Sequence, residues 1–293
     1  MEAKQQLDAW RAQTEQALRE RCDLYFPEHS EVCRAARYSL LGGGKRVRGV
    51  LVLAACGLLG GSTESAAPLA AGIEMLHCYS LIHDDLPCMD DDDLRRGRPS
   101  CHKAFGEATA LLAGDALLTA AFESVSDAPL PAEARIKAVK ALSFAAGGRG
   151  MVLGQELDLQ AEQRPVTEEE LRAVHRGKTG ALINAAVQMG AAAAGGSAAD
   201  HANLEAYAYD LGLVFQIVDD VLDVTSTAEA LGKPIGSDAA NGKTTFATLY
   251  GPERAMALAG EVTARASAAL QKNYGEKAGF LCWLAQDLLG RDH

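Results

Sequence analysis

Six carboxylates crowd into the ten residues from Asp84 to Asp93, in the run His83-Asp84-Asp85-Leu86-Pro87-Cys88-Met89-Asp90-Asp91-Asp92-Asp93. Like charges this close repel by roughly tenths of a kcal/mol at a surface and by more where water is excluded, so a counter-cation is the natural compensation. Arg95, Arg96 and Arg98 follow at once. Carboxylates offer hard oxygen ligands to Mg2+ and guanidinium forks match phosphate oxygens, so the two clusters together suit a metal–phosphate assembly; a solvated acidic loop is the alternative. A second cluster, Gln216-Ile217-Val218-Asp219-Asp220-Val221-Leu222-Asp223, lies in an otherwise apolar stretch. On a helix Asp219 and Asp223 share a face, with Asp220 about 100° round, and these carboxylates converge where Leu213, Val214, Ile217 and Leu222 would be buried. Unpaired buried charge is costly, which argues for a bound cation there too. Neither cluster has the alternating spacing of an EF-hand.

Two basic groups complete the inventory. Gly42-Gly43-Gly44-Lys45-Arg46-Val47-Arg48 sets a flexible turn before a helix start, with Lys45 and Arg48 three apart on one face, an anion cradle. It is not a Walker phosphate loop, because Arg46 stands where Ser or Thr is needed and no strand precedes it. Gly236 to Thr244 is a second near miss, so a nucleoside triphosphatase does not fit. Lys178-Thr179, Lys233 and Lys243 are single basic positions at turns, each a solvated lysine or a ligand.

The elements that must position these groups are helical. Ala- and Leu-rich runs separated by Gly, Pro, Ser or Asp predict helices near 3–22, 30–41, 46–60, 66–86, 107–125, 132–146, 148–163, 168–176, 179–194, 200–225 and 252–272. Val50–Leu59, Leu111–Phe122 and Leu211–Val224 have no polar face and read as inner helices of a large bundle. The 293 residues, 48% hydrophobic and 23% charged, have globular composition, and no compositional break divides them, so a single domain over 1–293 is expected. The net charge of −11, from 28 Lys and Arg against 39 Asp and Glu, argues against nonspecific binding to nucleic acid or anionic membrane. The longest unbroken apolar run, Val50 to Leu59, is half a bilayer span, the N-terminal pattern is amphipathic, and seven scattered cysteines without a Cys-x-x-Cys pair read as reduced thiols. Those features predict a cytoplasmic protein without a membrane span or disulfides.

The residues from Tyr38 to Tyr250 resemble the trans-isoprenyl diphosphate synthases, and among them the bacterial short-chain farnesyl diphosphate synthases. The resemblance rests on Gly-Gly-Lys-Arg-Val-Arg-Gly at 43–49, Asp84-Asp85-x4-Asp90 followed by Arg95-Arg96-Gly97, Gly-Asp-Ala-Leu-Leu at 114–118, Gly-Gln-x-x-Asp at 154–158, Lys178-Thr179-Gly180, Gln216-x-x-Asp-Asp-x-x-Asp and Lys233. Each is a modest signal alone, and their order and spacing are specific. The resemblance implies an all-α bundle around a deep central cavity, a homodimer, and condensation of an allylic diphosphate with isopentenyl diphosphate using Mg2+, in three ions for which Mn2+ can substitute. It implies Asp84, Asp90 and Asp219 as metal ligands, supported by Asp85, Asp220 and Asp223. Arg95, Lys178, Thr179, Gln216, Lys233 and Lys243 then resemble the allylic-substrate contacts, and Gly44, Lys45, Arg48, His77 and Arg96 the isopentenyl diphosphate pocket. Asp115, Gln155 and Asp158 read as supports of that site or as helix-packing groups.

Asp84 and Asp90 are six apart, some 120° round an ideal helix, and reach one metal only if the helix breaks between them. Pro87 removes an N–H and clashes with the His83 carbonyl, which supplies a break; Asp91 is the alternative ligand if the helix runs on. The resemblance further implies that released diphosphate accepts the final proton. Product length turns on Tyr79 and Ser80, five and four residues before Asp84. Ser80 leaves room for an allylic tail and Tyr79 presents a ring placed to floor the cavity, and the resemblance implies that an aromatic at this position goes with a fifteen-carbon product. A geranylgeranyl diphosphate synthase is the alternative, and a class I terpene cyclase a further one. A cyclase has no use for a second diphosphate pocket and would line its cavity with more aromatics than the 5% present. A helical scaffold without turnover would not need basic partners beside both aspartate motifs.

Overall fold

The computed structural model describes residues 2–225 and 243–291, so Lys233 lies outside the described residues. Helices α1 (Glu2–Tyr25), α2 (Glu31–Leu40), α3 (Val47–Leu58) and α4 (Thr63–Asp84) lead to a two-residue antiparallel hairpin, β1 (Leu94–Arg95) and β2 (Arg98–Pro99). Then come α5 (Cys101–Phe105), α6 (Glu107–Ser126), α7 (Ala132–Ala146), α8 (Met151–Ala161), α9 (Glu168–His175), a π-helical turn (Arg176–Gly180), α10 (Ala181–Ala193) and α11 (Ala198–Thr225). The chain closes with α12 (Phe246–Tyr250), α13 (Pro252–Tyr274), a 3-10 turn (Gly275–Ala278) and α14 (Gly279–Leu289). The fold class is all-α, as the sequence predicts. The hairpin, α5, α12 and α14 escape the periodicity argument: three are too short to show a period, and α14 is apolar on most faces.

By contact the chain forms two compact units, one of residues 1–142 and 189–195 and the other of 143–188 and 196–293. In the first, α3 is buried from Gly49 to Cys56 and α4 from Pro68 through Leu76. Small residues set the spacing of α4 and α6. A Cβ on Gly72 would stand 2.8 Å from the Ala121 carbonyl oxygen, and one on Gly114 only 2.1 Å from His83 Nε2. Among the described residues α6 is long and apolar enough to cross a membrane, a length the longest unbroken apolar run understates because single polar residues interrupt it. Its Ala110, Ala113, Gly114, Leu117 and Ala121 stripe is buried within the unit, but Leu111 and Leu112 are exposed, so α6 is half-buried and not the inner helix its apolar sequence predicts.

In the second unit, Val214, Ile217, Val218 and Val221 of α11 pack with Phe246 of α12 and Ala255, Ala259 and Val262 of α13. The aspartates of α11 are therefore presented by a helix whose other face is core. The seven cysteines are free thiols, and burial pushes Cys22 and Cys56 up to about 11 and Cys78 to about 12.

A buried charge network anchors the glycine turn before α3. Arg46 is in the left-handed region (φ 53°) and 3% exposed; its Nε donates to Glu15 Oε1 at 2.6 Å and its Nη2 to the Leu40 carbonyl at 2.7 Å. Glu74, 2% exposed in the apolar middle of α4, lies 3.7 Å from Arg46 and accepts the Gly49 N–H at 2.8 Å. Removing Glu74 leaves a buried guanidinium short of charge and a buried N–H unpaired. Glu74→Ala should lower unfolding free energy by about 3 kcal/mol in urea titrations; a loss under about 0.5 kcal/mol, the size of an ordinary surface change, would show that the network does not hold the turn.

Candidate active site

The first aspartate motif begins where α4 stops. The helix ends at Asp84, Leu86 N–H donates back to the His83 carbonyl at 3.2 Å, and Asp90 N–H donates to the Asp84 carbonyl at 2.8 Å. This turn, at the Pro87 position, brings the Asp90 backbone beside Asp84. Asp91, at φ 50°, instead directs its carboxylate toward His102 and Lys103, at 3.8 and 3.9 Å. Asp85 is buried and committed to Arg95, which donates to it through Nε at 2.9 Å and through Nη2, and to Asp92 at 3.1 Å. Burial raises the Asp85 carboxyl above its ordinary value, and the Arg95 contacts, which pull the other way, do not fully offset it.

The hairpin carries the next arginine. Leu94 pairs with Pro99 and Arg95 with Arg98, leaving Arg96-Gly97 as a two-residue turn with both φ positive, 54° and 72°. Such a turn matches the strand twist but strains a non-glycine residue, a cost that persists where contacts over-determine it. Here the Arg96 guanidinium lies on the glycine turn: it donates to the Gly43 carbonyl, and a Cβ on Gly44 (φ 127°) would stand 2.8 Å from Arg96 Cζ. Only glycine permits that approach. His77 is held well below its ordinary 6.5, first by burial and then by the guanidinium groups of Arg48, Arg96, Arg46 and Arg95. His77, Arg48, Arg96 and the Gly43–Gly44 turn thus form one cationic neighbourhood, with Lys45 exposed at its edge. Tyr79 is 7% exposed and meets the His83 ring edge-on at 5.4 Å, while the Ser80 hydroxyl donates to the His77 carbonyl at 2.9 Å.

In the second unit, the buried Asp158 of α8 holds two ammonium groups: Lys178 Nζ at 2.7 Å from one oxygen and Lys243 Nζ at 2.9 Å from the other. Lys178 sits in the π-helical turn, whose backbone crosses α8 at Gly154; a Cβ there would come within 2.0 Å of the Lys178 nitrogen. The Gly-Gln-x-x-Asp spacing is explained by this, glycine admitting the turn and aspartate, four residues on, receiving its lysine. Thr179 Oγ1 donates to Gln216 Oε1 at 2.8 Å, joining the turn to α11. Of the α11 aspartates, Asp219 is half-exposed and accepts from Arg291 at 2.6 Å, and Arg291 also lies over the Phe215 ring at 3.9 Å. Asp220 is buried and accepts the Phe246 N–H at 2.8 Å, a structural task that fastens α12. Asp223 is buried as well. His175, stacked on Phe246 at 5.7 Å, is driven by burial down to about 4.

Sequence reasoning passed over Arg46 and Glu74, although Glu74 interrupts an apolar run just as Asp219 does, and it gave no role to Arg291, whose partner is 72 positions away.

With the geometry in view, comparisons place the chain. The polyprenyl synthetase family profile matches residues 29–278. A farnesyl diphosphate synthase of Geobacillus stearothermophilus is 47% identical over 219 residues, 74% of either chain. A chloroplastic geranylgeranyl pyrophosphate synthase of Capsicum annuum is 45% identical, covering 88% of this chain and 71% of its own. Among solved structures, a geranyltransferase of Helicobacter pylori complexed with magnesium and isoprenyl diphosphate is similar at TM-score 0.87 and 35% identity, covering 98% of both chains. The chain belongs to the polyprenyl synthetase family and is a prenyltransferase.

Asp158 carries a pH prediction. Burial alone raises its carboxyl, but Lys178 and Lys243 prevail and hold it below the ordinary 3.8. A carboxyl depressed on folding contributes stability that is present above its unfolded value and lost as pH falls through its folded value. Wild-type stability should therefore fall more steeply below pH 3.8 than that of Asp158→Asn in acid-unfolding scans followed by circular dichroism. Parallel curves below that pH would mean the two lysines do not hold the carboxylate in solution.

Proposed function

We propose that this prenyltransferase condenses dimethylallyl and geranyl diphosphates with isopentenyl diphosphate, releasing diphosphate and yielding farnesyl diphosphate. The observation that carries the reading is the cationic neighbourhood of the glycine turn, where Arg96 seats on Gly43 and Gly44 beside Arg48 and His77. A dianionic diphosphate recruits such a group, and an enzyme that only ionises and cyclises an allylic diphosphate has no use for it. His77, kept neutral, can donate one hydrogen bond to that anion without adding to the guanidinium repulsion.

Lys178, Lys243, Thr179, Gln216 and Lys233 are assigned to the allylic diphosphate, with Lys233 resting on the sequence alone. Asp158 already orders two of these ammoniums, so they reach the ligand with little entropy left to lose. Arg95 enters this set through its charge, its donors being shared with Asp85 and Asp92. Asp84, Asp90 and Asp219 fit Mg2+: all offer hard oxygens, the Asp90–Asp84 turn draws two of them together, and Asp219 already accepts a cation in Arg291. Asp85, Asp220 and Asp223 support them from buried positions, Asp85 through Arg95 and Asp220 through α12. When bound, Mg2+ supplies positive charge that stabilises the departing diphosphate more strongly as the C–O bond opens. Apolar walls keep water from the allylic cation. Tyr79, buried against His83, forms the floor that stops growth at fifteen carbons.

A second copy of the chain is the proposed partner, supported by the exposed Leu111 and Leu112 of α6, 45% and 52% accessible, on the outward face of a helix otherwise apolar. The cytoplasm is the proposed location.

Asp84→Ala and Asp219→Ala should keep their helical circular dichroism and lose about a thousandfold in turnover at saturating Mg2+. A variant retaining a tenth of wild-type turnover would remove its motif from the reading. Lys45→Ala and Arg48→Ala should chiefly raise KM for isopentenyl diphosphate, and Lys178→Ala should chiefly impair the allylic half-reaction; the opposite split in steady-state kinetics would overturn the pocket assignment. Tyr79→Ala should lengthen the product from fifteen to twenty or more carbons by chromatography. An unchanged product would mean the floor lies elsewhere.

A further inference from the structure

Among the described residues, Asp91, Asp93 and His102 form the one grouping of three side chains whose ligand atoms all lie within 4.8 Å of one another. None of the three has a role in the prenyl-transfer reading above. Asp91 and Asp93 sit on the loop after Asp90, and His102 lies in the first turn of α5, reached through the hairpin. His102 is 6% exposed and its Nε2 is buried with no hydrogen-bond partner, while Asp91 Oδ1 lies 3.8 Å from that atom. A buried polar atom left without a partner is costly unless something satisfies it.

The other ring nitrogen meets a buried hydroxyl. Nδ1 lies 3.1 Å from Ser100 Oγ, itself buried. In the tautomer whose Nδ1–H donates to Ser100, Nε2 presents a lone pair toward the two carboxylates, the arrangement by which a metal-binding histidine is oriented. Imidazole with two carboxylates is a nitrogen and oxygen donor set, which favours zinc-class divalent ions over Mg2+, whose preference is for oxygen and retained water. Zn–ligand bonds of about 2.0–2.2 Å put tetrahedral donors roughly 3.3 Å apart, so the cluster must close by somewhat over 1 Å. Asp91 and Asp93 are exposed and can rotate to do so.

We propose that Asp91, Asp93 and His102 bind one zinc-class divalent cation, tying the loop after Asp90 to the start of α5. Lys103 is the competing cation: its ammonium is 2.8 Å from Asp93 and 3.9 Å from Asp91, offsetting one of their two negative charges. Its side chain is 42% exposed, free to swing into solvent as the ion enters. The ammonium competes with the cation, so removing it tightens binding.

Equilibrium dialysis of the full chain against Zn2+, with Mg2+ in large excess, tests the site without reference to turnover. Wild type should retain one Zn2+ per chain. Asp93→Asn, a surface change that spares folding, and His102→Gln should each weaken it about tenfold or more. Lys103→Met should tighten it, and Asp84→Ala should leave it unchanged, which separates this site from the proposed Mg2+ ligands. Failure of wild type to retain Zn2+ overturns the proposal. So does retention that survives Asp93→Asn, which would point to a thiol such as the exposed Cys88, or retention that is lost in Asp84→Ala.

Discussion

Carboxylates concentrated at the end of one apolar helix and in the last two described turns of another must be neutralised, and this constraint organises the rest of the molecule. Four of these carboxylates and their neighbours meet it with a specific cation or N–H donor. Asp85 takes Arg95, Asp158 takes Lys178 and Lys243, Asp219 takes Arg291, and Asp220 takes the Phe246 amide. These contacts also fasten the hairpin, the π-helical turn, the chain end and α12. Charge compensation is thus the means by which short, weakly structured segments are held at the ends of long helices. Local hydrogen bonding alone would not fix elements of two to five residues.

Glycine supplies the complementary constraint, close approach. Gly44 admits the Arg96 guanidinium, Gly154 admits the backbone bearing Lys178, and Gly114 admits the His83 ring. In each case the atom admitted belongs to a residue next to, or itself within, a charged motif. A methyl group at any of the three would push a charged segment outward. Strain is concentrated in the loops that carry charge: among the described residues the three non-glycine positions with positive φ are Arg46, Asp91 and Arg96. All three are held by buried or charged contacts of their own, which is how such backbone survives.

Helix content and the charged motifs were legible in the sequence, because the helical period and the presence of aspartate in apolar runs are local properties. Break and turn after Asp84 were legible too, since proline acts on its own residue and the carbonyl four back. The short elements were not. The hairpin depends on Arg96 tolerating positive φ, which its docking on Gly43 makes possible, and a two-residue strand has no readable period. Arg46 looked like one more basic residue of an anion cradle, yet it is buried, and its partners Glu15 and Glu74 stand 31 and 28 positions away.

By itself, the sequence determined which residue types stand beside one another: paired carboxylates, arginines close behind them, glycines before the basic turn, and helical stretches to carry them. From these the family and its chemistry follow. Tertiary structure alone decided which charges meet. Lys178 and Lys243 are 65 residues apart and share Asp158, and Arg291 crosses 72 positions to reach Asp219. His102 meets Ser100 through one ring nitrogen and faces Asp91, eleven positions back, with the other. The reason is physical: electrostatic and hydrogen-bond energies depend on separation in space over a few ångströms, and separation along the chain does not specify that distance until the helices have packed.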